Sequence, residues 1–461
     1  MQKIFDEVNS LDKRCYEEFG LSEDILMEHA ALSMQLYIQE NYSDKKTVLI
    51  ACGCGNNGAD GIALARLLHK RFNVSLYFYS KAKSQMAILQ EKRAKALAIP
   101  IIEEVIPSDI IVDCIFGSGL NKALDDDAVL LINELNSLDA VKIACDIPSG
   151  ISYDGQVSSC AFDADITITM GALKTSLFSD IAKDYVGKIK VSDLGIQREI
   201  YEITTNKYLL DKSDLKLPHR NKHNSHKGSY GHLNVIAGSK VGAGIIAAKA
   251  AFGFGAGIVS VLGRENLDLP YHIMQTDSIS ENCTAIAIGM GLGKYKVDEV
   301  RMILSKNTKK IVDADLFYDK LLIDFLDENI VLTPHPKEFV AFLKICDIAD
   351  ISIEELQNNR FKYVQMFCAK YPKSVLLLKG TNVIISQGDK IYINTFGSAV
   401  LSKGGSGDVL SGLVGSLLAQ GYEPLEAAIS ASLAHAIAAS NYKKNDFSLI
   451  PADLVEEVKR L

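Results

Sequence analysis

The chain has 461 residues, of which 48% are hydrophobic and 23% are charged, and its formal net charge is -8. This length favours two or three domains with sizeable cores, and the acidic balance argues against nucleic-acid binding as the main function. No run of about 18 apolar residues occurs, so no membrane span is expected, and the N-terminus shows no signal-peptide pattern. Nine cysteines without a repeating spacing are typical of a reducing compartment, so we expect a cytoplasmic protein.

Short β-branched runs alternate with helical patterns in both halves of the chain, which predicts parallel sheets covered by helices. In the first half the predicted strands are 47–52, 74–79, 110–115, 141–146 and 166–170. In the second half they are 233–238, 258–262, 285–289, 310–313, 330–333 and 375–379. The polar run 219–227 lacks periodicity, so we predict a domain boundary near residues 205–225 and interpret the run as a solvated linker.

A glycine-rich loop, residues 53–61, follows the first predicted strand and leads into an apolar helix. Its glycines formally match the dinucleotide fingerprint. A redox NAD site also needs an acid at the end of the next strand, and that strand has none, so we reject hydride transfer. The side chains of Asn56, Asn57 and Asp60 are instead suited to hold a diphosphate, a hard monovalent cation or both.

Two further predicted strands end in an aspartate beside a glycine-rich turn. Asp113 precedes Gly117-Ser118-Gly119, and Asp146 precedes Ser149-Gly150. Ligands of parallel sheets bind beyond the carboxyl ends of the strands, where a carboxylate can bind a cation or carry protons. A single aspartate of this kind could simply cap a helix. Two of them next to the Asn-Asn loop favour a functional site.

In the second half, residues 404–408 (Gly-Gly-Ser-Gly-Asp) run directly into a helical pattern of paired apolar residues. Glycine amides ahead of a helix N-terminus form a phosphate cradle. A carboxylate at this point would repel phosphate, so we interpret Asp408 as a general base for a hydroxyl that attacks phosphorus. Lys379 ends a strand and suits phosphate, two prolines hold His335 at the sheet edge, and the sequence contains no Walker A motif.

These segments together resemble the bifunctional NAD(P)H-hydrate repair enzymes, in which an epimerase is fused to a dehydratase. The first half resembles the epimerase domain in residues 26–30, 55–61 and 146–150. The second half resembles the ribokinase-like dehydratase domain in residues 226–228, 242–243, 289–293, 333–336, 379–380 and 404–408. The chain differs from the family pattern at Ala59, Met290 and Lys337, and its loop after Lys379 is one residue short.

The resemblance implies a Rossmann-like three-layer epimerase domain (1–210), a linker (211–225) and a ribokinase-like α/β dehydratase domain (226–461). It implies that the R and S forms of NADH-hydrate and NADPH-hydrate (NADHX and NADPHX) are interconverted. The S form is then dehydrated at the expense of ADP, or ATP, and ADP gives AMP and phosphate. Potassium is the implied ion of the epimerase site, and Mg²⁺ accompanies the nucleotide. A homo-oligomer that binds neither nucleic acid nor membrane is expected.

The resemblance also implies roles for individual residues. The catalytic groups are Asp408 and Asp146, and the potassium ligands are Asn57, Asp113 and Ser149. The epimerase contacts its substrate through Asn56, Asn57, Gly58, Ala59, Asp60, Gly117, Ser118, Gly119, Leu120, Asn121, Lys122, Ala123 and Asp146. The dehydratase contacts the hydrate through Ala243, Leu292, His335 and Asp408. It contacts the nucleotide through Lys379, Gly380, Thr381, Asn382, Val383, Gly404, Gly405, Ser406 and Gly407.

One alternative stays open at the level of sequence. The second half is compatible with a small-molecule kinase of the ribokinase superfamily, such as a vitamin-precursor kinase, fused to a non-catalytic Rossmann-like binding module. The product of a kinase keeps the phosphate. A repair dehydratase releases inorganic phosphate and restores the near-ultraviolet absorbance of the nicotinamide.

Overall fold

The structure of the protein is a computed structural model that describes residues 1–263 and 266–461. The chain folds into two compact units, of which the first comprises residues 3–205. The second comprises residues 206–461 together with residues 1–2. Both units are α/β, as the alternation of strand and helix patterns predicts. No helix among the described residues is both long and apolar enough to cross a bilayer.

The strands of the first unit are β1 (Gln2–Phe5), β2 (Thr47–Cys52), β3 (Asn73–Phe78), β4 (Ile101–Ile102), β5 (Ile110–Cys114), β6 (Val141–Cys145), β7 (Ile166–Met170), β8 (Leu173–Lys174) and β9 (Lys188–Ser192). Its helices are α1 (Asn9–Glu18), α2 (Glu23–Asn41), α3 (Asn56–Leu68), α4 (Gln85–Ala96), α5 (Asp126–Ser137) and α6 (Arg198–Tyr201).

Seven of these strands form a parallel sheet in the order β4-β3-β2-β5-β6-β7-β9. Successive residues of β2 point to opposite faces: Val48 and Ile50 pack with α2 and α3, whereas Leu49 and Ala51 pack with α5. A parallel strand must bury both faces because its crossover helices cover both. The unit is therefore a three-layer sandwich of helices, sheet and helix.

The strands of the second unit are β10 (Lys207–Leu209), β11 (His232–Ile236), β12 (Ile258–Leu262), β13 (Met274–Thr276), β14 (Ala285–Ile288), β15 (Lys309–Val312), β16 (Ile330–Leu332), β17 (Val375–Leu378), β18 (Val383–Gln387) and β19 (Lys390–Asn394). Its helices are α7 (Val241–Gly253), α8 (Val297–Leu304), α9 (Pro336–Ile345), α10 (Ile353–Asn358), α11 (Arg360–Lys370), α12 (Ser406–Ala419), α13 (Pro424–Asn441) and α14 (Pro451–Val458).

The sheet of the second unit has the order β13-β12-β11-β14-β15-β16-β17-β18-β19-β10. Neighbours from β13 to β17 are parallel, whereas β17-β18 and β18-β19 are antiparallel. The tight turn between β18 and β19 contains Gly388 with a φ of 62°. The sequence pattern predicts only parallel strands, so the antiparallel strands β18 and β19 were not predicted.

Helix α12 is held deep in the second unit, against α7, α13 and the sheet. A Cβ atom at Gly412 would lie 2.2 Å from the carbonyl oxygen of Ala247 in α7. Only glycine permits this approach, because any side chain would collide with backbone. The close contact fixes the direction of α12 and therefore the place where its N-terminus meets the edge of the sheet.

Every strand that the sequence predicts is present, and each end lies within two residues of the prediction. Among the strands that the pattern misses, β4, β9 and β13 lie at sheet edges, whereas β18 and β19 are interior and antiparallel. The second unit begins before the predicted linker 211–225, because β10 pairs with β19 and both Leu215 and Leu217 pack against the core. Residues 219–229 are exposed.

Candidate functional site

In the first unit, four neighbouring parallel strands end at one edge of the sheet and bring the predicted residues together. The edge is formed by β2, β5, β6 and β7, whose register pairs Ala51 with Asp113 and Asp113 with Ala144. The glycine loop of 53–60 follows β2, residues 115–123 follow β5, and Asp146 follows β6. The epimerase residues inferred from sequence thus lie on the carboxyl ends of adjacent strands, as ligand sites of such sheets do.

Asp146 is buried at the point where β6 ends. Its φ of 70° is a left-handed conformation that non-glycine residues adopt rarely and often at functional positions. One carboxylate oxygen, Oδ2, accepts a hydrogen bond from the backbone N–H of Ser118 at 3.1 Å. The other, Oδ1, lies 2.6 Å from Nζ of Lys174 and accepts from the N–H of Met170 at 3.2 Å.

Lys174 was not predicted from the sequence, and it decides the charge state of Asp146. Its ammonium group is buried and also donates to Oγ1 of Thr169 and to the carbonyl of Met170, both at 2.9 Å. Burial alone would raise the pKa of Asp146, but the Lys174 ammonium and the backbone N–H groups hold that pKa below its ordinary value. Asp146 is therefore a carboxylate in the folded protein.

The three predicted potassium ligands form one connected cluster. Asp113 is fully buried and accepts hydrogen bonds from Oγ and N of Ser149 at 2.6 and 2.7 Å. Ser149 in turn accepts from the N–H of Phe116 at 2.9 Å, and Phe116 O accepts from Nδ2 of Asn57 at 2.9 Å. Burial raises the pKa of Asp113 to about 6, although the bonds from Ser149 and Ile115 act in the opposite direction.

The oxygen atoms of this cluster fit a hard cation. Oδ1 of Asn57 is buried, and among the described residues it has no hydrogen-bond partner. Oδ1 of Asn57 and Oδ2 of Asp146 face the same point, since a Cβ at Gly117 would lie 3.1 and 3.2 Å from them. An unsatisfied buried oxygen is costly, and a bound cation would satisfy it. Carboxylate, amide and hydroxyl oxygens are the donors that hard cations prefer.

The other predicted epimerase contacts surround this cluster. Asp60 is half-buried, and burial together with the Asp146 carboxylate raises its pKa well above the ordinary value. Asn56 is exposed and donates to Oε1 of Glu23 at 2.6 Å. Leu120 is buried, whereas residues 121–123 are exposed. Gly58 and Ala59 are buried, Ser118 is half-buried and Gly119 is exposed.

The second unit repeats the arrangement at the carboxyl ends of β14 to β17, which are parallel neighbours. Leu292 follows β14, Asp313 follows β15, His335 follows β16 and Lys379 follows β17. Ala243 in the first turn of α7 lies beside this edge, because a Cβ at Gly291 would be 3.1 Å from its own Cβ. The predicted hydrate and nucleotide contacts are thus brought to one edge of the sheet.

The loop 404–408 forms the start of α12, as the sequence predicts. Gly405 is the residue before the first helical turn and has a φ of 92°, and Asp408 lies in that turn. Free N–H groups at a helix N-terminus favour an anion. Burial and the neighbouring Asp313 raise the pKa of Asp408 to about 6, while Lys379 opposes the rise. A carboxyl group with this pKa is suited to general-base catalysis near neutral pH.

Lys379 lies over the glycine loop and connects the charged groups of the site. Its Nζ would be 3.6 Å from a Cβ at Gly407 and is 2.8 Å from Oδ1 of Asp313. Asp313 is buried, and its Oδ2 accepts from Oγ of Ser411 at 2.8 Å. Oε2 of Glu338 lies 3.8 Å from the same ammonium. The cation is therefore held between two acids at the mouth of the cradle.

His335 caps the N-terminus of α9 and is held in one tautomer. Its Nδ1 accepts from the N–H groups of Lys337 and Glu338 at 3.1 and 3.3 Å. Its Nε2 lies 3.0 Å from Oε1 of Glu338, to which it can donate. Nearly half of the His335 side chain, 44%, stays exposed, so the ring edge is open to a ligand.

Three buried residues of the second unit were missed from the sequence although they support the site. Arg360 donates to the carbonyls of Lys379 and Asn382 at 3.0 and 2.9 Å and so braces the loop 379–383. Nε2 of His435 lies 2.9 Å from the carbonyl oxygen of Ser406, and burial lowers the pKa of His435 to about 4. Asp313 is the third residue, and its position at the end of a predicted strand was the sequence signal that could have identified it as part of the site.

Within the described ranges, no group of three or more His, Cys, Asp or Glu side chains is arranged to hold a metal ion alone. Proteins bind Mg²⁺ through one or two carboxylates together with substrate phosphates. Asp313 and Glu338 lie next to Lys379 at the cradle and are the carboxylates that could take part.

Comparison with known proteins identifies the family. A family model described as NAD(P)H-hydrate dehydratase matches residues 233–460, and one described as YjeF-related protein N-terminus matches residues 23–176. The bifunctional NAD(P)H-hydrate repair enzyme Nnr of Helicobacter pylori is 44% identical to this chain over 100% of both chains. The chain belongs to this family. The Nnr protein of Dictyoglomus turgidum is 31% identical over 98% of this chain and 96% of its own.

Among solved structures, the second unit is similar to the ADP/ATP-dependent NAD(P)H-hydrate dehydratase of Bacillus subtilis co-crystallised with ATP and Mg²⁺. That protein is 26% identical, covers 56% of this chain and 98% of its own, and has a TM-score of 0.48. Family membership confirms the predicted enzyme class, an NAD(P)H-hydrate epimerase joined to a dehydratase that together repair hydrated NAD(P)H. The predicted fold class of two α/β units built on parallel strands is confirmed as well, and the strand order of the first unit is Rossmann-like.

Proposed function

We propose that the second unit dehydrates S-NAD(P)H-hydrate with ADP as phosphoryl donor, and that the first unit converts the R form into the S form. The observation that carries the proposal is Asp408 in the first turn of α12, a half-buried carboxylate beside the glycine amides and the Lys379 ammonium. A base next to an anion cradle is what transfer of phosphate to an alcohol requires.

The chemistry of dehydration follows from this arrangement. Hydroxide is a poor leaving group, whereas phosphate is a good one. Asp408 takes the proton of the ring hydroxyl, whose oxygen attacks the terminal phosphorus of the nucleotide. The amides of 404–407 and Nζ of Lys379 stabilise the charge on the transferring group. The lone pair of the ring nitrogen then expels phosphate to give an iminium ion, and loss of a proton from the adjacent ring carbon restores the double bond. Bound Mg²⁺ would neutralise charge on the nucleotide phosphates.

In the first unit, Asp146 is the group proposed to move protons at the hydroxyl carbon. Its carboxylate lies at the edge of the sheet, beside Gly117 and the Asn57 amide, where the hydroxyl-bearing ring of the substrate would lie. That carbon is attached to nitrogen, so reversible proton transfer can open or ionise it and erase its configuration. A potassium ion held by Asn57, Asp113 and Ser149 would fix the shape of this pocket and supply a positive charge beside the substrate.

Two variants of the full chain test the assignment, with R- and S-NADH-hydrate supplied separately and the recovery of NADH absorbance followed. Asp408→Asn should abolish dehydration of the S form while nucleotide binding stays largely intact. Asp146→Ala should leave the R form unconverted while the S form is still repaired. Each variant is the folding control for the other.

Inorganic phosphate is measured in the same reactions, with ADP and with ATP. Phosphate release equal to NADH recovery supports the dehydratase, whereas phosphate retained on the organic product would establish a kinase. Near-normal turnover of the S form by Asp408→Asn would refute the base assignment. An unchanged rate of R-form loss in Asp146→Ala would refute the epimerase assignment.

A further inference from the structure

The most unusual ionic feature of the first unit is a buried ion pair at the end of β6. Nζ of Lys174 lies 2.6 Å from Oδ1 of Asp146, and the two side chains are only 2% and 9% exposed. Burying two charges costs several kcal/mol per ion before their attraction is counted. A fold that needed only stability could use apolar residues here. The pair therefore calls for a functional explanation.

Lys174 fixes one side of the Asp146 carboxylate, because its ammonium group has no freedom to turn away. Its remaining donors are taken up by Oγ1 of Thr169 and the carbonyl of Met170, both at 2.9 Å. The ammonium therefore cannot turn toward another partner without losing these bonds. Oδ1 of Asp146 is occupied by Lys174 and the N–H of Met170. Oδ2, which accepts from Ser118 N–H, faces Gly117 and the side of Asn57 where the substrate would lie.

We propose that Lys174 is a positioning residue of the epimerase: it holds Asp146 as a carboxylate with Oδ2 aimed at the substrate, so that Asp146 enters the reaction as a base. The proposal rests on the epimerase function proposed for this unit. Nothing in the sequence pattern or the family comparison assigns a role to Lys174. Its sequence position, 28 residues after Asp146 (174 minus 146), gives no hint of the contact.

The charge state of Asp146 at the start selects one of the two routes by which the hydroxyl carbon can lose its configuration. Expulsion of the hydroxyl group needs an acid to protonate it. A carboxylate instead removes the hydroxyl proton, the C–O bond becomes C=O, and the C–N bond breaks with its electron pair on nitrogen. Asp146 then returns the proton to that nitrogen. Rotation of the aldehyde and the reverse steps close the ring from the other face, with all atoms and charges balanced.

Other titratable groups surround the pair, and burial together with the Asp146 carboxylate raises the pKa of each of them. Carboxyl groups of Asp60 in α3 and Asp12 in α1 face the pair, and Asp12 accepts from the hydroxyl of Tyr201 at 2.7 Å. The thiol of Cys145, which precedes Asp146, is fully buried beside it. Lys174 is the cation that faces these acids from β8.

The test is the pH dependence of epimerase activity in Lys174→Met. Without the ammonium, Asp146 keeps its bonds from the N–H groups of Ser118 and Met170 but loses its cation, so burial raises its pKa. We expect the acid limb of the rate of R-form loss to shift to higher pH than in the wild type, so that activity lost at neutral pH returns at alkaline pH. Lys188→Met, which removes an exposed lysine of β9, is the matched control and should keep the wild-type profile.

A second measurement follows the oxygen atom. In ¹⁸O-labelled water, the ring-opening route keeps the original oxygen on the carbon during the first turnovers, whereas expulsion of the hydroxyl group introduces ¹⁸O at every inversion. Retention of the original oxygen supports the base-first step. Complete labelling of the first epimer formed would overturn it.

The two activities of the chain separate the possible failures. Dehydration of the S form by Lys174→Met reports that the chain is folded. If Lys174→Met does not fold, Lys174→Gln replaces it in the pH experiment. The double variant Asp146→Asn/Lys174→Met, which removes both charges, then shows whether the buried unpaired charge caused the misfolding. A wild-type protein that does not consume the R form would refute the proposed function. A wild-type protein that does so, with a lysine variant of unchanged pH profile, would refute the role of Lys174 alone.

Discussion

As the pH falls, the dehydratase should lose activity at a pH about two units higher than it would if its base were an ordinary aspartate. Burial and the nearby Asp313 raise the pKa of Asp408 to about 6, whereas an unperturbed aspartate titrates near about 3.9. The base is then about 90% ionised at about pH 7 and about 10% ionised at about pH 5. We expect kcat/KM for the S-hydrate to fall about tenfold over this interval, with a limiting slope of one.

The assay is NADH recovery from S-hydrate at saturating ADP and Mg²⁺, with the non-enzymatic reaction of the hydrate subtracted at each pH. Nucleotide phosphates also titrate in this range, so ADP binding is measured at each pH to separate that effect. Lys379 lowers the pKa of Asp408, so Lys379→Met should move the acid limb to higher pH as well as weaken ADP binding. Lys373→Met removes an exposed lysine that pairs with Glu328 and is the matched control.

The result that would refute the reasoning is a dehydratase rate that stays flat down to about pH 5 while ADP binding is unchanged. The proton acceptor would then have an ordinary carboxyl pKa or be a different group. An acid limb that responds to ADP binding alone would likewise remove Asp408 from the pH dependence.

Two further predictions concern the glycine loop and the cation cluster. Gly405→Ala should weaken ADP binding about tenfold or more, because φ is 92° and the new Cβ would lie 2.5 Å from Cγ of Pro451; Gly404→Ala, with nothing within 4 Å, should change it little. Calorimetric titration of ADP measures both, and equal affinities would contradict the prediction. Asn57→Ala removes the unpartnered buried oxygen, so potassium should no longer accelerate R-form conversion while dehydration continues; a retained potassium response would place the ion elsewhere.

Much of the architecture was readable from local sequence. Buried parallel strands are continuous β-branched runs, and this is why strands such as Thr47–Cys52 and Ile258–Leu262 were predicted at their observed positions. The edge strand Lys188–Ser192 was missed because exposed lysines alternate with its apolar residues and interrupt the pattern. The antiparallel strand Lys390–Asn394 was missed although four of its five residues are buried, so solvation does not explain this miss.

The proposed reacting groups were also identified locally, because each follows a strand or opens a helix within a few residues of glycine. Asp146 and Asp408 were chosen for this reason, and the structure finds both at carboxyl-end edges of parallel sheets. Their chemical roles remain proposals. The sequence could not give their charge states, since a pKa depends on burial and on charges that other elements supply.

The amino-acid sequence by itself determined the family, the order of the two α/β units and the glycine loops that open α3 and α12, because these depend on short-range pattern. Only the tertiary structure decided which charged side chains form pairs. Lys174 reaches Asp146 from a different strand, and Lys379 after β17 reaches Asp313 after β15 past the intervening strand β16. Contacts of this kind form only when the chain folds. At the low dielectric of the protein interior they control whether a carboxyl group is protonated or ionised.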